Sequence, residues 1–411
     1  MNLVKLFKSL GPGLLYAGAA VGVSHLVQST RAGAGYGFDL LWVLVIANIL
    51  KYPFFEFAPR YASTTGKSLV HGYQKTGKWA LILFGLITVS TMFAISGAIS
   101  IVTAGLLGSL IGIQLDIYVL TTIILVLVMF VLMLGQFSVF ESIIKFIIIA
   151  LALSTIIAVS LSFKTELAGT VHFDWAVATD VAFLIAFIGW MPAPIDVSVW
   201  HSTWTEAKQV SENEKISLKS AIRDFNIGYI GTAFLAVGFL ALGAFVMYGS
   251  GETFSNSGVA FASQLINMYT NSLGQWAYWI IGVAALTTML STTITVLDAY
   301  PRVMQPVLEM LFPVFKSSNE KSNKSYNIWL IITVLGTISL IVLFGKSMKF
   351  IVDMATTISF VVAPILAFLN YKAVTSKGFE NKPEKWLLIY AWIGMIFLTL
   401  FSVFYIIWRF F

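Results

Sequence analysis

LYAGAAVGVSHLVQST, residues 15–30, is the stretch on which the fold turns. It lies in an apolar run long enough to cross a bilayer, yet it reads Gly-Val-Ser-His in its middle, where a lipid-facing helix would stay aliphatic. The run opens on Gly11-Pro12-Gly13, passes Gly18 and Gly22, and then offers Ser24, His25, Gln28, Ser29, Thr30 and Arg31. A second segment of the same kind, FLIAFIGWMPAPIDVSVWHSTW at 183–204, holds Pro192 and Pro194 in mid-span. Each proline removes a backbone donor and clashes with the preceding turn, so the path through 191–195 is expected to leave the helix. Broken backbone at membrane depth is tolerated only where protein or a water-filled cavity covers it.

The rest of the chain agrees with a membrane setting. Of 411 residues, 58% are hydrophobic and 11% charged, and the mean hydropathy is +0.88. An ordinary soluble domain carries about 25% charged residues. Apolar runs recur at roughly 10–30, 38–59, 79–112, 117–136, 141–163, 178–200, 225–249, 274–299, 326–345, 348–371 and 385–409, which predicts an all-α integral membrane protein of eleven spans. With the N-terminus inside, most Lys and Arg fall on inner segments; only Arg31, Lys164, Lys346, Lys349 and Arg409 fall outside. That bias predicts a cytoplasmic N-terminus, an extracytoplasmic C-terminus and residence in the plasma (inner) membrane. The polar stretches 201–224 and 300–325 read as inner connectors. No cleavable leader is evident, so the first span is expected to remain. The net charge of +6 reflects the same bias and gives no reason to expect nucleic acid as a partner. Without cysteine, disulfides and thiol chemistry are excluded.

Spans 1 and 6 are five apart. That spacing predicts two inverted repeats of five helices, about 10–163 and 178–371, with an additional helix at about 385–409, all within one domain, 1–411. Substrate would sit between the two interruptions. The competing explanation is that Gly and Pro merely permit close helix packing.

Several landmarks appear in a fixed order: the opening Gly-Pro-Gly, Ala32-Gly33-Ala34 with Leu40-Leu41-Trp42, Thr65-Gly66-Lys67, Phe140-Glu141, Met191-Pro192 and Ser291-Thr292-Thr293-Ile294-Thr295. In these the chain resembles the Nramp family of proton-coupled divalent-metal transporters over nearly its whole length. The resemblance implies the LeuT-type fold and, as substrate, a divalent ion such as manganese, iron or magnesium. The family's site is an Asp-Pro-Gly-Asn break in helix 1 and a Met-Pro-His break in helix 6. Counted from Ala32-Gly33-Ala34, Gly22 replaces that Asp, Val23-Ser24 the Pro-Gly, and His25 the Asn, while Ala193 replaces the His. Met191 keeps the thioether, so Met191 and His25 are the side chains left as metal ligands. Span 3 contains no Asp or Glu in place of the family's proton-carrying acids.

A divalent ion entering a low-dielectric site needs anionic oxygen to offset its lost hydration. With the helix-1 carboxylate replaced, a second substrate class arises: a small anion such as bicarbonate, held by half-helix N-termini, with sodium as a coupling ion. The substrate-binding candidates are Gly22, Ser24, His25, Met191, Ala193, Asp196 and Ser198. Arg31, Asp298, Asp353 and Thr357 are candidates for gating or for a coupling ion, sodium or proton. Each has a plainer reading. His25 bonds between helices, Asp196 caps the second half-helix or pairs with His25 or Arg31, Asp298 pairs with Arg302 four residues on, and Met191 packs. Lys51 with Glu56, and Glu141 with Lys145, read as buried pairs or snorkelling. An enzyme is not expected, since His25, His71, His172 and His201 are scattered and no Gly-x-Ser-x-Gly elbow or P-loop occurs. A transport-fold sensor is the remaining class. No cofactor is implied; the expected partners are the lipid bilayer and a small inorganic ion, and the expected state is a monomer.

Overall fold

The computed structural model describes residues 11–112, 115–134, 152–163, 167, 169–250, 254–313, 324–344 and 347–410. Among these residues no β-strand occurs. Span 1 forms two pieces. Helix α1 (Pro12–Ala20) ends in a break at 21–23, and the chain resumes as a π-helical turn, Ser24–Ser29, running into α2 (Thr30–Tyr36). Span 2 is α3 (Leu41–Thr65), followed by a short helix α4 (Leu69–Thr76), then α5 (Lys78–Ile111) for span 3 and α6 (Ile117–Met133) for span 4. For span 5 only α7 (Ala152–Ser162) is described; Glu141 and Lys145 lie outside the described residues.

Span 6 is again two pieces, α8 (Ala178–Trp190) and α9 (Asp196–Glu212), separated at 191–195. There follow α10 (Leu218–Val246), α11 (Gly258–Leu273), α12 (Tyr278–Leu311), α13 (Lys324–Phe344), α14 (Met348–Thr375) and α15 (Lys385–Phe410). Seven described helices are long and apolar enough to cross a membrane: α3, α5, α10, α12 with its preceding turn, α13, α14 and α15. Adding the two broken spans and the shorter α6 and α7 accounts for the eleven crossings expected.

Two expectations need correction. The stretches 201–224 and 300–325 are not simple loops. Helix α9 continues to Glu212, α10 begins at Leu218 and α12 runs to Leu311, because their polar residues face loops and neighbouring helices while the backbone stays paired. The connection between spans 7 and 8 holds α11, an amphipathic helix whose Phe261, Leu265, Ile266 and Tyr269 are buried against α5 and α12.

The core is formed by α5, α12 and α14 around the broken helices. The apolar window of α12 with its preceding turn is 72% buried, against 28% for α13 and 33% for α15, so the last two face lipid. Helix α10 lies along both halves of span 1. Its contact with α2 depends on paired glycines. A Cβ on Gly33 would stand 1.9 Å from the Leu240 carbonyl oxygen, and one on Gly243 would stand 2.3 Å from the Thr30 carbonyl oxygen. Without a hydrophobic drive between helices in lipid, such close backbone approach is what gains dispersion contact. At the other end, the Asp224 carboxylate accepts from the Gly11 and Gly13 amides at 3.2 and 2.8 Å, capping α1 with a charge that its N-terminal dipole favours.

Candidate functional site

The two breaks face each other. Between them lies a small cavity of about 20 Å³, lined by Ala19, Ala20, Val23 and Ser24 of span 1 and Trp190, Pro194, Val197 and Trp200 of span 6. Ile95 and Ile99 of α5 and Thr292 and Val296 of α12 complete it. A space of that size holds about one water. Only Ser24 among the sequence candidates lines this cavity; the wall is otherwise almost entirely apolar.

The backbone groups freed at the first break are claimed by hydroxyls. Ser24 Oγ donates to the Ala20 carbonyl at 2.6 Å, and Thr292 Oγ1 donates to the Gly18 carbonyl at 3.1 Å. Gly22 packs directly on Thr292, whose Cγ2 would lie 2.9 Å from an added Cβ, so a glycine here makes room for α12.

At the second break the carbonyls of Ile188 and Gly189 accept from Lys51 Nζ at 2.6 and 3.0 Å. Lys51 is wholly buried and has no carboxylate partner within ion-pair distance among the described residues. The Lys51 amino group therefore sits at the negative C-terminal end of α8, where the dipole favours its protonated form. Asp196 opens α9 at the complementary positive end. Lys51 is a site residue the sequence reading missed. Its only signal was a lysine in mid-span, read together with Glu56; Glu56 instead pairs with Arg60 at 2.6 Å.

His25 is fully buried but faces away from the cavity: its Nε2 contacts the Thr232 carbonyl at 2.9 Å and its Nδ1 contacts Ser24 Oγ at 2.7 Å. This is the helix-to-helix bond of the plainer reading. Met191 and Ala193 are buried without lining the cavity. Ser198 donates to the Ile195 carbonyl at 2.7 Å and accepts from Asn370 at 2.8 Å, which ties α9 to α14. Among the described residues no group of three or more His, Cys, Asp or Glu is placed to hold a metal ion.

The expected pairing of Asp196 with His25 or Arg31 is not formed. Asp196 Oδ1 accepts from Thr91 at 3.2 Å, while Arg31 reaches Asp353 at 2.8 Å. Asp353 is thus an ion-pair partner, bridging α2 to α14; Arg31 also donates to Gln28 and stacks 4.9 Å over Phe183 of α8. This cluster ties both broken spans to α14 on one side of the cavity. Asp298 pairs with Arg302 at 2.5 Å and accepts from Tyr326 at 2.7 Å, the structural alternative to a coupling site. Thr357 is half-buried on α14.

On the opposite side of the cavity, Tyr16 packs with its ring centroid 5.5 Å from Phe55, 5.8 Å from Phe225 and 5.9 Å from each of His201 and Tyr229. Beyond this aromatic plug a larger recess of about 330 Å³ is lined by His201, Thr205, Lys208, Pro12 and Asp224. An ion pair thus stands beside the second half of span 1 and an aromatic cluster beside the first.

The family model for natural resistance-associated macrophage protein-like chains matches residues 13–408. An uncharacterized protein of Pasteurella multocida is 36% identical over 97% of this chain and 92% of its own length. The divalent metal cation transporter MntH of Levilactobacillus brevis is 23% identical over 98% of this chain and 88% of its own. Among solved structures, a manganese transporter of Eremococcus coleocola superposes with a TM-score of 0.73 at 16% identity, covering 96% of this chain and 85% of that one. Mhp1, a nucleobase-cation-symport-1 family transporter, gives a TM-score of 0.60 at 13% identity, covering 97% and 92%. The fold is the all-α, LeuT-type arrangement expected from the interrupted spans.

Proposed function

Since the chain belongs to the Nramp family, we propose that it is a secondary transporter that moves a small inorganic ion across the membrane by alternating access. Two features support this reading: facing interruptions in spans 1 and 6, and a small cavity between them. The repeats would be residues 10–163 and 178–371, rocking about the site with the N-terminus cytoplasmic.

The names of its relatives bring a divalent metal ion as the substrate class. One observation favours a small anion such as bicarbonate instead: the buried Lys51 amino group on the carbonyls of Ile188 and Gly189, beside the break. A divalent cation there would meet no carboxylate from helix 1 and carbonyls already donated to, while an anion would draw Lys51 into its protonated form and meet its positive field in low dielectric. Lys51, His25 and Met191 all lie outside the cavity lining, so Lys51 acts on the site only through its field and neither of the other two supplies a metal ligand there.

The test is uptake by purified protein in liposomes, comparing manganese influx read by a quenched dye with labelled bicarbonate influx, each with and without a sodium gradient. Saturable bicarbonate influx without manganese influx is expected. Saturable manganese influx would overturn the anion reading and restore the family's substrate.

A further inference from the structure

The segment 169–177, which leads into α8, is tied to three helices. His172 Nδ1 stands 3.0 Å from Oδ2 of Asp39, in the turn after α2, and the same oxygen accepts from the Phe173 amide at 3.0 Å. Asp180, in the first turn of α8, accepts from the Asp174 amide at 3.1 Å and, on its other oxygen, from the Tyr36 hydroxyl of α2 at 2.9 Å. Just past the end of α10, Tyr248 donates to the Val171 carbonyl at 2.6 Å. The Phe173 ring centroid lies 5.8 Å from that of Tyr36, which in turn lies 5.6 Å from Phe183 of α8. The segment is therefore a strap joining the second half of span 1, the first half of span 6 and the end of α10. With the N-terminus cytoplasmic, these are their outer ends.

Of these contacts, the one between His172 and Asp39 contains an imidazole. An imidazole changes charge between about pH 5 and 8, whereas ordinary carboxyls and phenols do so outside that range. Asp39 Oδ2 thus faces a cation on the acid side and a neutral ring on the alkaline side. The other charged and titratable groups described on these elements are engaged: Asp174 accepts from the Ala176 amide at 2.8 Å, Asp180 takes the two bonds above, Arg31 of α2 pairs with Asp353, and Tyr248 is spent on Val171. His172 is 74% exposed and Asp39 34%, so water screens the pair and its charge biases an equilibrium only about two- to five-fold. Loss of that charge leaves the Phe173 amide bond in place, so the strap loosens without detaching.

We propose that the 169–177 strap is an outer clasp on the broken spans, with the Asp39–His172 pair as its acid-strengthened fastening. At acid outer pH it holds α2 to α8 and slows opening toward the outside; at alkaline pH it loosens. The Arg31–Asp353 pair joins α2 to α14, and the clasp joins α2 to α8, so the two restrain the same half-helix against different neighbours. The proposal rests on the alternating-access reading given above and on neither substrate class.

The experiment places a nitroxide on Thr170→Cys, an exposed strap position and a unique thiol in this cysteine-free chain, in full-length protein in liposomes. Between about pH 5.5 and 8.5 the mobile fraction of the label is expected to grow about two- to five-fold. His172→Gln and Asp39→Asn should be mobile throughout, and His172→Lys, which keeps its charge over the whole range, immobile throughout. In a second set, Val23→Cys is labelled from outside by an impermeant thiol reagent. At acid pH His172→Gln should speed that labelling by the same factor, and at alkaline pH it should make no difference; comparing variants at one pH cancels the ionisation of the thiol itself. A mobility independent of pH, or an identical pH profile in His172→Gln, overturns the proposal. So does an unchanged Val23→Cys labelling rate in His172→Gln at acid pH. Strap and labelling behaving as expected, with neither manganese nor bicarbonate taken up, would retain the clasp and reject the transport reading.

Discussion

Replacing Asp353 by Asn should open the cavity from the side that Arg31 and Asp353 close. The pair is 2.8 Å apart and joins α2 to α14, so it exists only while those helices are together. Coulomb attraction at that separation with an effective dielectric near 20 is ~6 kcal/mol. Most of this is offset: Asp353 is 35% exposed, water screens the pair, and both charges lose hydration when they meet. A net contribution of about 1–2 kcal/mol is the reasonable scale for a partly buried pair with a second, longer contact at 3.4 Å. Losing it would shift the closed-to-open equilibrium about 5–30-fold, since ~1.4 kcal/mol is tenfold. The chain contains no cysteine, so Val23→Cys, on the cavity wall, supplies a unique thiol. Its labelling rate by an impermeant thiol reagent, measured in sealed vesicles of known orientation, should rise by that factor when Asp353→Asn is added. Arg31→Gln should do the same, and the double variant should add little more, because either change removes the same pair. Unchanged labelling, or additive effects of the two changes, would refute the gate.

Gly33→Ala should disrupt the contact between α2 and α10, because the new methyl would stand 1.9 Å from one backbone oxygen and 2.7 Å from the Ala244 nitrogen. Overpacking costs roughly 1–3 kcal/mol and more when backbone must move; a lowered Tm and loss of monodisperse protein are expected, with Gly35→Ala, which meets nothing within 4 Å, as the control. An unchanged Tm for Gly33→Ala would reject the close approach. Lys51→Met should leave the Gly189 carbonyl without its side-chain donor, at ~1–3 kcal/mol, while Ile188 keeps the Met191 amide, and the loss is offset by removal of a desolvated amino group. Little change in Tm, but a KM for bicarbonate raised tenfold or more, is the expected combination, and an unchanged KM would remove Lys51 from substrate recognition.

The spans, the two breaks and their five-helix spacing were determined by sequence alone, because each is a local property. Apolar length decides what crosses a bilayer, and glycine and proline decide where a helix cannot continue. The absence of any Asp or Glu from the interrupted part of span 1 and from span 3 was equally legible. Partner choice was not, since it depends on which helix faces meet. Arg31 and Asp353 are 322 positions apart and meet only because α14 lies beside α2. His25 turns to Thr232 because α10 lies behind span 1, which takes from the cavity the residue whose identity made it the first candidate. Lys51 reaches the carbonyls of Ile188 and Gly189 at the break only because α3 passes the end of α8. A backbone break can be read from composition; which side chain answers its unpaired carbonyls is decided by packing across the whole chain.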